Sequence, residues 1–150
     1  MTRIIRAGDE AARRAPSIDH GRFLNPWSPA ALAEETERTE SRFAAAEEDG
    51  AFIGYAITRC YPERAELLCI AVDDTARGRG VGSMLLADAE SYASEAGSGA
   101  LALEVHERNP AAALYERRGY LAVGRRRGYY THPEGDAILM EKELTRGGGA

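Results

Sequence analysis

The sequence is poor in the residues that would tie it to disulfides, metals or membranes. Its 150 residues include two cysteines, Cys60 and Cys69, and three histidines, His20, His106 and His132. Two cysteines build no disulfide framework, and in a reducing compartment each reads as a small core hydrophobe. The histidines are scattered and share no ligand spacing with the cysteines, so no metal site is expected. No apolar run approaches the length of a membrane span. The stretch from Met1 to Glu10 lacks the apolar segment of a signal peptide, which points to the cytoplasm. Positive charge is not in excess either. The net charge of −5 argues against the basic face of a duplex-binding protein, so no direct nucleic-acid partner is expected, and no membrane partner. A mildly acidic surface suits a cationic substrate, although ordinary solubility explains the same balance. No internal repeat is present.

What the chain does contain is an ordinary soluble composition, 44% hydrophobic and 29% charged, in a length that suits one domain over residues 1–144 with a disordered tail over 145–150. Arg3 to Ala7 reads as a first strand and Asp9 to Ala15 as a helix. Ser28 and Pro29 form an N-cap and first helical position, and that helix is expected to run to about Ser41. Arg42 to Glu47 and Ala51 to Cys60 read as strands joined at Asp49-Gly50, a hairpin signal. Leu67 to Val72 is nearly continuously apolar, the pattern of a strand buried on both faces. Val81, Leu85, Asp88, Ala89 and Tyr92, with Leu86 and Ala93 beside them, mark an amphipathic helix of about four turns. Gly97-Ser98-Gly99 ends it. Ala100 to Val105 is a further strand. Asn109-Pro110 opens a short helix that Gly119 closes. Tyr120 to Tyr130 and Ala137 to Leu144 read as a last strand pair. The order implies an α/β fold with a mixed sheet and helices on its faces.

Between the buried strand and the four-turn helix lies Arg77-Gly78-Arg79-Gly80-Val81-Gly82. The first N–H groups of a helix lack internal partners and carry partial positive charge. Glycines permit close approach and positive φ, and Arg77 and Arg79 add cationic arms, so the loop reads as a pyrophosphate cradle. A P-loop would need Lys-Ser/Thr after its glycines, where this chain has Ser83-Met84. A dinucleotide fingerprint would need glycine where Ser83 stands. The pattern Gln/Arg-x-x-Gly-x-Gly/Ala, which binds the pyrophosphate of coenzyme A, fits at every position. A plain connector with two solvated arginines is the alternative.

With this loop stand Leu103-Glu104-Val105 at a strand end and Ala113-Leu114-Tyr115-Glu116-Arg117-Arg118-Gly119-Tyr120 on a short helix. In that order and spacing the chain resembles the GCN5-related N-acetyltransferase (GNAT) superfamily over about residues 3 to 144. Pro26-Trp27-Ser28, Ile70-Ala71-Val72, Arg127-Gly128-Tyr129-Tyr130 and Gly135-Asp136-Ala137-Ile138-Leu139-Met140 are similar to segments of the bacterial ribosomal-protein S18 alanine N-acetyltransferases. Two departures stand out. The Asn109–Tyr115 spacing is one residue shorter than the family's, so that either Asn109 or Arg108 could take the family's asparagine place, and Gly135 stands where that subfamily usually has Glu, with Glu134 just before it.

The resemblance implies a GNAT fold of about seven strands and four helices, and acetyl-CoA as co-substrate. It implies contacts to coenzyme A from Ile70, Ala71, Val72, Arg77, Gly78, Arg79, Gly80, Val81, Gly82 and Asn109. The acceptor would be a primary amine, first the N-terminal alanine of ribosomal protein S18, with a polyamine, an antibiotic or another peptide as alternatives; a non-catalytic acyl-CoA-binding module is the contrasting class. The state implied is a monomer or dimer.

Acetyl transfer needs a neutral amine and a proton for the leaving thiolate. An α-amine has a pKa of about 7.7–8.0 against about 10.4 for lysine, so near pH 7 roughly a tenth of α-amines are already neutral. Glu104, at the end of a central strand and facing away from Leu103 and Val105, is the expected base through a water. An exposed glutamate paired with an arginine is the bland alternative. Tyr115 is the acid that the resemblance implies, since a phenol stays protonated at neutral pH; core packing is its alternative. Backbone groups of Ile70 to Val72 would serve the acetyl arm only if their strand splays from its neighbour. Trp27, Tyr129 and Tyr130 would wall the acceptor channel, with simple packing an equal reading. Glu134 and Asp136 suit a basic peptide or, more simply, a solvated acidic turn.

Overall fold

A computed structural model describes residues 1–18, 23 and 27–145. Residues 146–150 of the tail expected over 145–150, together with His20, Asn25 and Pro26, lie outside the described residues. Among the described residues four α-helices, α1 (Asp9–Arg14), α2 (Pro29–Glu37), α3 (Val81–Glu95) and α4 (Ala111–Arg117), accompany seven strands, β1 (Thr2–Arg6), β2 (Ser41–Glu48), β3 (Ala51–Cys60), β4 (Ala65–Val72), β5 (Ala100–His106), β6 (Leu121–Thr131) and β7 (Glu134–Glu143). The strands form one mixed sheet in the order β1-β2-β3-β4-β5-β7-β6. No helix among the described residues is long and apolar enough to cross a membrane.

Alternation along β2 divides the core in two. Phe43 and Ala45 face α1 and α2 with Ala12, Leu32, Tyr55 and Ile57. Ala44 and Ala46 face α3 and α4 with Val81, Leu85, Leu86, Ala89 and Tyr115. This is the period-two pattern of a strand covered on both sides. Local signals set the joints. The Ser28 hydroxyl accepts from the Ala31 N–H at 3.1 Å, and Asp49 and Gly50 both take positive φ, 52° and 82°, as a two-residue hairpin requires.

Three expectations are corrected. Helix α2 stops at Glu37, short of Ser41, because Arg38 turns extended and Ser41 is already paired with Arg59 in the sheet. Tyr92 is 39% exposed. The inward stripe of α3 runs through Val81, Leu85, Ala89 and Ala93, each four residues from the last, and Tyr92 falls at its edge beneath the Arg42 guanidinium, 5.0 Å from the ring centroid.

The third correction matters most. β4 is not buried evenly on both faces. Leu68, Ile70 and Val72 are half-buried, because β4 leaves its neighbour. Against β3 its register skips one residue, with Thr58 opposite Leu67 and Ile57 opposite Cys69, so Leu68 is the extra residue of a bulge, which bends a strand and raises its twist. Towards β5 the parallel pairing consists of Ala65–Leu101 and Glu66–Ala102. β5 stays paired with β7 as far as His106. A wedge therefore opens between Leu67–Val72 and Leu103–His106.

Candidate active site

Helix α3 begins at the α3/α4 side of this wedge. Gly78 and Gly80 have φ of 79° and 82°, a conformation that would strain any residue with a Cβ. Gly80 is the helix cap, and among the described residues no side-chain cap bond closes the start of α3. Arg77 donates to the Val72 carbonyl at 3.2 Å and pairs with Asp74, and Arg79 pairs with Glu48. A Cβ on Gly82 would meet Leu114 at 3.4 Å and Val72 at 3.9 Å. The loop, the end of β4 and α4 thus converge at one point. Asn109 spends its side-chain oxygen on the Ala111 N–H at 2.9 Å, at the start of α4, leaving its amide nitrogen for other contacts.

Tyr115 is 5% exposed. Burial pushes its phenol well above the ordinary value, helped by the nearby Cys69 thiol and Tyr130 phenol. Those two neighbours stand on β4 and β6, which places the phenol close to the strands that border the wedge. No hydrogen bond to the hydroxyl is found among the described residues. The ring is backed edge-on by Tyr120 at 5.9 Å. Tyr120 in turn donates to Glu90 at 2.9 Å, and Glu90 also accepts from Arg118 at 2.8 Å and Lys142 at 3.2 Å.

Glu104 approaches from the other face of the sheet. Leu103 and Val105 belong to the α3/α4 core, so Glu104 points away from it, into a crevice of about 1140 Å3 that Leu68, Leu103, Arg126, Tyr129, Tyr130 and Leu139 also line. The arginine partner weighed from the sequence is present: Arg126 Nε donates to Glu104 Oε1 at 3.0 Å. Tyr129 and Tyr130 meet edge-on at 5.1 Å. Burial and the Glu104 carboxylate raise the Tyr130 phenol. Trp27 packs instead with the α1/α2 core and is absent from the crevice lining.

Two features have no simple signal in the sequence. His106 is 2% exposed and stacks on Tyr130 at 4.9 Å, with Phe23 tilted against it at 5.0 Å. Its Nδ1 accepts from the Arg108 N–H at 3.1 Å, so Nε2 carries the proton and donates to the Pro133 carbonyl at 2.9 Å. A Cβ on Gly135 would lie 2.4 Å from His106 Cε1. Gly135 thus departs from the subfamily's glutamate because His106 fills the space.

The second is the path of β6. Between Arg126–Ala137 and Tyr130–Gly135, three residues of β6 face Asp136 alone. Asp136 accepts from the Gly128 N–H at 2.7 Å and from Arg125 at 2.5 Å, and both contacts hold its carboxyl below the usual range. The acidic turn therefore shapes the crevice wall.

A profile of the acetyltransferase (GNAT) family matches residues 11–120. The chain is 34% identical over 139 residues to the N-alpha-acetyltransferase RimI of Mycobacterium tuberculosis, covering 88% of this chain and 86% of that protein. It is 40% identical over 124 residues to an uncharacterized protein of Mycobacterium leprae, covering 79% of this chain but 34% of that longer protein. The crystal structure of the ribosomal-protein-S18-alanine N-acetyltransferase from Escherichia coli superimposes with a TM-score of 0.86 at 30% identity, covering 99% of this chain and 97% of that one.

Proposed function

The chain belongs to the acetyltransferase (GNAT) family and is an N-acetyltransferase, and from that premise we propose that it acetylates the N-terminal alanine α-amine of ribosomal protein S18 by direct attack on acetyl-CoA. The observation that carries this reading is the wedge between β4 and β5, with Tyr115 reaching it from one face of the sheet and Glu104 from the other. Two substrates can meet there without sharing a channel.

Coenzyme A lies on the α3/α4 side in this reading. Its pyrophosphate takes the N–H groups of Gly78 to Gly82, with Arg77 and Arg79 turning from their carboxylate partners to the phosphates. Backbone groups of Ile70 to Val72, released from pairing with β5, receive the acetyl and pantetheine arm and polarise the thioester carbonyl. Asn109 contributes its amide nitrogen. The peptide enters on the other side, walled by Tyr129 and Tyr130, with Trp27 in the layer beneath. Glu104 accepts the amine's proton through a water. As the C–N bond forms and the C–S bond breaks, Tyr115 donates its proton to the departing sulfur. The names of the similar proteins in M. tuberculosis and E. coli support the choice of acceptor.

The test is a panel of acceptors with acetyl-CoA: a basic peptide beginning with the S18 alanine, the same peptide N-blocked, a lysine peptide and spermidine. Preference for the free alanine terminus is the expected result. Preference for spermidine moves the acceptor to small amines, and no turnover with any acceptor leaves an acyl-CoA-binding module. Glu104→Gln is expected to lose most activity at low pH, where few amines are neutral; an equal loss at every pH assigns it to positioning. Arg77→Ala with Arg79→Ala is expected to raise KM for acetyl-CoA about tenfold at little change in kcat; an unchanged KM removes the loop from the coenzyme site.

A further inference from the structure

The Glu104 carboxylate in the crevice is already engaged. Arg126 holds Glu104 Oε1 at 3.0 Å, and its guanidinium also lies 5.8 Å from the centroid of the Tyr129 ring. A second arginine of the described lining, Arg64, is engaged with Glu66 at 3.7 Å and Glu141 at 3.4 Å. The backbone beneath Arg126 is fixed, because it forms the last β6–β7 pair before the bulge that Asp136 anchors. Its side chain is 56% exposed, which leaves the guanidinium able to swing.

We propose that Arg126 selects the acceptor class: it occupies the place on Glu104 that the water carrying the acceptor amine's proton must take, and it yields to an amine that brings its own carbonyl, an α-aminoacyl group. This rests on Glu104 being the base. A guanidinium has five donors and no acceptor, and a displaced one needs a new oxygen. In an α-aminoacyl group the carbonyl is one carbon away from the amine. As the amine engages Glu104 through its water, that oxygen receives the displaced Arg126 hydrogen, and the pair of contacts is exchanged rather than lost. A lysine ε-amine or a polyamine nitrogen is flanked by methylenes. It offers Arg126 nothing, and in its protonated form it meets a like charge within a few ångströms.

The experiment compares kcat/KM for the alanine peptide and for spermidine in the unsubstituted enzyme, Arg126→Gln and Arg126→Lys. The half-exposed position makes all three foldable, and KM for acetyl-CoA is expected to stay unchanged. Arg126→Gln is expected to lower kcat/KM for the peptide about tenfold and raise it for spermidine several-fold. Arg126→Lys, which keeps the charge with a less directional donor, is expected to fall between. A peptide-to-spermidine ratio within about threefold of the unsubstituted value overturns the proposal, as does spermidine turnover that stays undetectable in Arg126→Gln. If the unsubstituted enzyme acetylates no α-amine, the proposed function falls as well. Peptide acetylation with an unmoved ratio sinks the selection by Arg126 alone.

Discussion

Tyr115→Phe is expected to lower kcat about 100- to 1,000-fold, within the range for losing a general acid, while KM for acetyl-CoA changes little. The structure makes this a clean substitution. No hydrogen bond to the hydroxyl is found among the described residues, so phenylalanine is expected to keep the packing of the 5%-exposed ring at little cost in stability. The melting temperature is expected to stay level or rise slightly. Any loss of turnover then belongs to chemistry. Because burial raises the phenol further above its ordinary value of 10.0, Tyr115 keeps its proton throughout the assay range, and it contributes no falling limb to the pH profile up to that value. Steady-state kinetics beside a thermal melt decide the matter. Turnover within a few-fold of the unsubstituted enzyme removes Tyr115 as the acid.

The second large effect is on stability. Glu90 gathers Arg118, Tyr120 and Lys142, and its own side chain is 12% exposed. Glu90→Ala leaves two cations and a phenol without their acceptor. Breaking a buried pair from one side costs about 3–5 kcal/mol, and the lower end applies because Arg118 and Lys142 are each 28% exposed. For a chain of this size that is a fall of roughly 6–12 °C in Tm. Burial alone would raise the Glu90 carboxyl, but the bonds from Arg118, Tyr120 and Lys142 outweigh it and lower the pKa below 4.5. Its stabilisation is therefore complete above pH 4.5 and is lost as pH falls through the depressed folded value. The gap in Tm between the unsubstituted protein and Glu90→Ala is expected to be wide at pH 7 and to narrow below pH 4.5. A constant gap across that range would assign the loss to packing around Tyr120 instead.

Much of the fold is written in local signals. Ser28-Pro29, Asp49-Gly50, Gly80 and Gly119 each fix a turn or cap through their own conformational limits, and the helix and strand periods supply the elements between them. The wedge is not local. It arises because Leu68 has no opposite residue on β3, a matter of register between strands, and nothing in Leu67 to Val72 announces which residue is left over. The site divides in the same way. Glu104 and Tyr115 stand in recognisable segments, whereas Arg126 is one of three consecutive arginines, and only its strand face distinguishes it. His106 and Gly135 read singly as an odd histidine and a departure from the family. Together they are one packing solution across two strands, a coupling that spacing along the chain cannot express.

The parallel seam of two residue pairs between β4 and β5 also bears on how such an enzyme diversifies. One half of the sheet, with the α3 loop, contains most of the parts assigned to the shared acyl donor. The other half, with β6 and β7, contains most of the wall assigned to the acceptor. So short a seam lets the β6–β7 wall be rebuilt by bulges and side-chain exchanges, such as the His106–Gly135 pair, without disturbing the donor half. New acceptors become accessible through a few changes on one edge of the molecule, while the common reagent is held unaltered on the other.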